Sequence, residues 1–145
     1  MLARLLPTTF LAGALLLQGC GGTGADLTRA QFTKRADAIC QRAKERRDER
    51  MAAVIEAAPP ARSELIATQV KAQLAAVDPY EAATAALEDL GAPKGGDVER
   101  LLAAREEAAE SVREAPATAY FSNYPYRRAN DLADTYGLTE CRTEN

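Results

Sequence analysis

No stretch of this 145-residue chain alternates apolar and polar residues with the two-residue period of a strand. Apolar side chains recur instead at three- and four-residue spacing through most of its length, and Pro59-Pro60, Pro79, Gly91, Pro93, Pro116 and Gly137 punctuate the runs. That pattern predicts an all-α fold, a bundle of four to five helices. The apolar positions are rich in alanine, so the helices should pack closely. There is no internal repeat.

The elements follow from local signals. Thr28 is a good N-cap, Gln31 completes a capping box, and Leu27 and Phe32 suit a hydrophobic staple. The first helix is predicted over 29–57, with Phe32, Ala36, Ile39/Cys40, Ala43, Met51, Val54 and Ile55 facing the core. Pro59-Pro60 closes it. A second helix over 61–77 carries Leu65, Ile66, Val70, Leu74 and Val77. Asp78-Pro79-Tyr80-Glu81 has the form of a new start, with Asp at the N-cap and Pro at the first helical position. The helix after it carries Tyr80, Ala83, Leu87 and Leu90, either as a separate element or as the continuation of one kinked helix. Residues 91–96 read as a loop. Asp97 then caps a helix over 98–114, with Val98, Leu101/Leu102, Ala108 and Val112 inward. Residues 117–125 read as irregular and aromatic. A last helix over 126–136 presents Ala129, Leu132, Ala133 and Tyr136, and Gly137-Leu138 has the form of a Schellman ending.

Ahead of this domain, Arg4 precedes an apolar stretch from Leu5 to Leu17, the layout of a secretory signal. The run is shorter than the roughly 20 apolar residues of a membrane-spanning helix and contains Pro7 and Gly13. Leu15-Leu16-Leu17-Gln18-Gly19-Cys20, with Leu17 at −3 and Gly19 at −1, resembles the lipobox of bacterial lipoproteins. The resemblance implies a diacylglycerol on the Cys20 sulfur and cleavage just before that residue. Two or more acyl chains would then hold the protein on the outer face of the cytoplasmic membrane. Gln18 departs from the usual pattern, which has a small or aliphatic residue at −2. A plain secretory signal that leaves Cys20 free, and an uncleaved anchor, are the other readings. On the lipoprotein reading residues 1–19 are the signal, 20–26 a glycine-rich tether and 27–145 the bundle.

Lipidation of Cys20 would leave Cys40 and Cys141 as an even pair in an oxidising compartment, which suggests one disulfide. It would close a loop of about 100 residues and stabilise the fold by up to ~4.7 kcal/mol in the chain-entropy model. Two buried free thiols are the alternative. A redox pair fits less well, because there is no Cys-x-x-Cys.

The chain has no histidine, which removes Ser–His and Cys–His catalysis and any histidine-containing zinc site. Ser63, Ser111 and Ser122 therefore have no imidazole to activate them. With 18 basic and 21 acidic residues the net charge is −3, which offers no electrostatic case for nucleic acid. The sequence points to no cofactor, no metal and no enzymatic activity.

Three surface features remain. Arg42, Lys44, Arg46, Arg47 and Arg50 alternate with Glu45, Asp48 and Glu49, as on a solvated helix face laced with weak local pairs. Glu106, Glu110 and Glu114 share a face, with Glu107 beside them, and also read as solvated. The segment 120–128 holds half of the chain's aromatic residues. Tyr120, Phe121, Tyr124 and Tyr126, followed by Arg127 and Arg128, make the best candidate contact surface. The alternative is an aromatic plug at the end of an alanine-rich bundle.

Phe32-Thr33-Lys34-Arg35-Ala36-Asp37-Ala38-Ile39-Cys40, Leu87-Glu88-Asp89-Leu90 with Pro93, and Tyr136-Gly137-Leu138-Thr139-Glu140-Cys141 together resemble a group of small actinobacterial lipoproteins of uncharacterised function. The resemblance implies a helical extracytoplasmic domain with its two cysteines paired, and it carries no activity with it. The expectation is a non-catalytic, lipid-anchored envelope protein that contacts the membrane through Cys20 and serves as a structural or interaction module with an envelope protein as partner. A ligand-binding or sensor module built on 120–128 is the alternative.

Overall fold

A computed structural model describes residues 27–58, 64–93, 95–121 and 125–143, and the segments predicted as signal and tether, with Cys20, lie outside them. Five helices are seen: α1 (Arg29–Glu56), α2 (Leu65–Leu90), α3 (Asp97–Glu114), α4 (Pro116–Phe121) and α5 (Arg127–Tyr136). A 3-10 turn, Thr139–Cys141, follows, and there is no strand among the described residues. The fold is the all-α bundle that the spacing predicts.

α1 starts where its capping signals place it. The Gln31 amide donates to Thr28 Oγ1 at 3.3 Å, and the Thr28 amide donates to Gln31 Oε1 at 3.1 Å, so the capping box is complete. Leu27 packs on the same apolar cluster as Phe32, as a staple requires. At this end of the bundle Arg29 donates to the Tyr136 carbonyl at 2.7 Å and lies 4.5 Å above the Tyr136 ring. The start of α1 is thereby fastened to the end of α5.

Residues 65–90 form one helix, and Asp78 is not a cap. A proline in a helix interior removes a donor and crowds the preceding turn. Here Val77, Tyr80, Ala83 and Leu87, on both sides of the proline, are all buried, and α2 packs against the long α1. One continuous packing face outweighs the local break signal. The Asp78 carboxylate instead accepts from Arg50 of α1 and Arg113 of α3, both at 2.7 Å. At the next boundary Gly96 precedes α3 in a left-handed conformation, and Asp97 is the first residue of the helix rather than its cap.

The core has two apolar clusters. The lower one joins Phe32, Ala36, Cys40, Leu87, Leu101 and Leu138. The upper one joins Ala43, Val77, Tyr80, Ala108, Val112 and Tyr126. Between them, on α2 and α3, lie the buried polar residues Thr84 and Arg105. The Cys40–Cys141 disulfide, with Cα atoms 4.9 Å apart, ties the C-terminal turn to α1. A Schellman ending aims that turn inward. Gly137 has φ +89°, its amide donates to Asp134, and the Leu138 amide donates to the Ala133 carbonyl at 2.8 Å. Leu138 is buried in the same cluster against which Leu132 packs.

Candidate functional site

The aromatic segment divides in two. α3 ends at Glu114, ahead of Pro116, and Pro116 then opens a short helix, α4, so residues 117–121 are helical where the sequence suggests an irregular stretch. Its last two residues, Tyr120 and Phe121, stack edge to face at 4.9 Å and stay exposed, Phe121 at 67 %. Tyr126, in contrast, is buried with its ring 5.6 Å from that of Tyr80, so it is part of the plug at the α3–α5 turn. Arg127 and Arg128 are exposed at the start of α5, and Arg128 donates to Glu107 at 2.9 Å. Tyr124 lies outside the described residues, as does Cys20. The structure thus gathers Tyr120 and Phe121 into one outward pair and removes Tyr126 from any contact surface.

The charged face of α1 is tied to other elements more than to itself. Lys44 reaches Glu140 at 3.2 Å, Arg50 reaches Asp78, and Arg47 donates to Tyr80 Oη at 2.7 Å. Burial works against the Arg47 charge, but Asp48 and Tyr80 outweigh it and hold the guanidinium above its usual pKa. Hydrogen bonds from Arg113 and Arg50 hold the Asp78 carboxyl below its usual range. Asp37 moves the other way. Burial raises its pKa, the Glu140 carboxylate adds to the rise, and the Glu140 amide donating at 3.2 Å and Lys44 oppose it.

A groove of about 430 Å³ runs between α2 and α3, with Glu81, Glu88, Glu106 and Glu110 on its rim and Thr84 and Arg105 at its floor. Arg105 is 2 % exposed. Its Nε donates to Thr84 Oγ1 and its Nη1 to the Cys141 carbonyl, both at 2.9 Å, and its Nη2 approaches the Tyr80 carbonyl at 3.4 Å. The floor of the groove is therefore a hydrogen-bonded joint between α2, α3 and the C-terminal turn. Among the described residues no group of three or more His, Cys, Asp or Glu side chains is placed to hold a metal ion, and no helix is long and apolar enough to cross a membrane.

No family model, curated protein or solved structure matches the chain.

Two features escape the sequence reading. Arg105 stands in the row Leu101–Arg105–Ala108–Val112, and its place on an apolar face is the signal that could have marked it as buried. The second is the far end of the α1–α2 hairpin. Ile55, Leu65 and Ile66 fit the predicted core by spacing, yet all three are exposed, while Met51 and Val54 are only partly buried. Spacing reports which face a residue occupies, and whether a neighbour reaches that face depends on the lengths of the other helices.

Proposed function

We propose that this chain is a non-catalytic lipoprotein of the cell envelope, anchored through Cys20 on the outer face of the cytoplasmic membrane and serving as a structural or interaction module. The observation that carries this reading is the cysteine count. Of three cysteines, Cys40 and Cys141 are bonded to each other. That pairing suits an oxidising compartment, and it leaves Cys20, the residue at the lipobox position, as the remaining thiol. The geometry of the bundle supports the same reading. The tether enters at Leu27, beside Tyr136 and the C-terminal turn. α1 then rises through 28 residues, about 42 Å, so its far end would stand well away from the anchor. With no histidine in the sequence there is no imidazole for acid–base work or for activating a nucleophile, and Glu107 and Glu81, on the faces of α3 and α2, are engaged in ion pairs with Arg128 and Arg113.

Intact mass of the protein purified from membranes, before and after reduction, tests this directly. The expected result is a chain that begins at Cys20, carries acyl groups and gains two hydrogens on reduction. An unmodified Cys20 overturns the anchor and leaves a secreted protein with a spare thiol.

The exposed pair Tyr120 and Phe121 favours a second reading of the same surface, a ligand-binding or sensor role. Truncating both to Ala should abolish binding of the ligand while leaving the melting temperature unchanged, because neither side chain belongs to the core.

A further inference from the structure

The basic residues of α1 fall into two sets. Lys44, Arg47 and Arg50 are paired with Glu140, Asp48 and Asp78. Lys34, Arg35, Arg42 and Arg46 are exposed, and none of them makes a hydrogen bond or an ion pair among the described residues. Arg35, Arg42 and Arg46 stand seven and four residues apart, which puts them in one row along the outside of α1, with Lys34 next to the first of them. The charge is graded along the helix. From Arg29 to Arg46 six basic residues stand against two acidic ones, Asp37 and Glu45. Both of these accept hydrogen bonds, from the Glu140 amide and from Gln41. Beyond Arg46 the exposed side carries Glu49 and Glu56 instead. The opposite sign gathers elsewhere, where Glu88, Glu106 and Glu110 on the rim of the α2–α3 groove are likewise unpartnered among the described residues. α2 and the C-terminal turn, rather than α3, are the direct neighbours of α1, so the two charged faces belong to different sides of the bundle.

We propose that this outer face of α1, from Lys34 to Arg46, lies against the anionic lipid headgroups of the membrane that holds Cys20. The inference rests on the lipoprotein reading above and adds to it a second attachment and an orientation. The place where the anchoring segment joins the fold argues for this occupant. Residues 20–26 lead from Cys20 to Leu27, at the start of the same helix, and seven residues reach at most about 24 Å. The row of cations begins in the second turn of α1 and extends about 18 Å along it. It is therefore the charged face that the anchor keeps within reach of the headgroups. Charge complementarity argues the same way. Basic side chains next to a membrane anchor are drawn to anionic lipid within about a Debye length of the surface, and their contributions accumulate. The same surface repels Glu49 and Glu56, so the far part of α1 tilts away from it, and the acidic α2–α3 groove stays in water.

Arginine-specific labelling with phenylglyoxal, read residue by residue by mass spectrometry, tests it on the mature lipidated chain purified from membranes. The chain is inserted from outside into preformed vesicles of phosphatidylcholine alone or of an equal mixture with phosphatidylglycerol. Arg35, Arg42 and Arg46 should react on the order of ten-fold more slowly on the anionic vesicles, Arg127 on α5 should react equally on both, and high salt should remove the difference. Arg42→Glu combined with Arg46→Glu should restore fast labelling of Arg35. The far-ultraviolet circular dichroism spectrum and melting temperature should stay unchanged, since neither arginine has a partner among the described residues. Equal labelling on the two kinds of vesicle overturns the proposal. Protection on neutral vesicles that grows with protein density also overturns it, because a second copy is then the occupant, and so does equal protection by dissolved inorganic phosphate. The mass of the same sample reports Cys20. An unmodified Cys20 is a failure of the anchor, whereas equal labelling of a lipidated chain is a failure of this contact alone.

Discussion

Arg105 donates to backbone carbonyls of two separate elements, Cys141 in the C-terminal turn and Tyr80 in α2, and to the hydroxyl of Thr84 between them. Removing it leaves buried acceptors without their donor, which costs more than the hydrogen bonds themselves contribute. Arg105→Ala should lower unfolding stability by about 3 kcal/mol, read from the denaturant midpoint, and Arg105→Lys should recover only part of the loss because an ammonium lacks the planar fork. Two aspartates make a second prediction through opposite signs. The Asp78 carboxyl is held low by its arginine partners, so its contribution to stability is present above the ordinary carboxylate pKa and fades as pH falls through its lowered folded value. The folded pKa of Asp37 is raised, chiefly by burial. The folded state then takes up a proton before the unfolded chain does, and stability from this group falls as pH rises through the window above the ordinary value. Thermal melts should show Asp78→Asn lowering the melting temperature at pH 7 and converging with the parent in acid. Asp37→Asn should raise it at pH 7, since an amide oxygen still accepts from the Glu140 amide. A shift of the same sign in both variants would contradict the assignment.

At the scale of single elements the ends of helices are written locally and their lengths are not. The capping box at Thr28 and the Schellman ending at Gly137 each involve residues within five positions of one another, so both are legible in the sequence. Gly137 gives a clean test, because a Cβ there would meet nothing within 4 Å while φ is +89°. Gly137→Ala should therefore cost only backbone strain, about 1–2 kcal/mol, and Gly137→Asn less, as read from urea midpoints. The run Asp78-Pro79 misleads for the converse reason. Its local chemistry favours a new helix start, whereas the side chains on both sides of it, Val77 and Tyr80, are buried in the same apolar cluster. The aromatic segment fails in the same way. Tyr120 and Tyr126 are indistinguishable by residue type, and only the packing of Tyr126 on Tyr80 separates the buried ring from the exposed one.

For the whole molecule, the disulfide joins the first helix to the last turn across a sequence separation of 101 residues, and it acts beside contacts that hold the same turn without it. Leu138 is fully buried, Arg105 holds the Cys141 carbonyl, Lys44 pairs with Glu140, and the Thr143 amide and carbonyl both bond to the Asn130 side chain at 2.9 Å. The chain-entropy argument assigns the bond an effect on the unfolded state, where the loop is free to open once the sulfurs part, while the native turn keeps its other partners. The Cys40→Ala/Cys141→Ala chain should therefore stay folded at room temperature with an unchanged helical signal. Its unfolding stability should fall by about 2–5 kcal/mol and its melting temperature on the order of 10 °C. Hydrogen exchange gives the sharper reading. If the bond restrains mainly the unfolded chain, amides in 138–143 should lose protection by the same factor as those in the core of α1 and α3, because all exchange through the same global opening. Selective loss of protection in 138–143 would show that the disulfide is what keeps the turn in place and that the Arg105, Lys44 and Asn130 contacts follow from it.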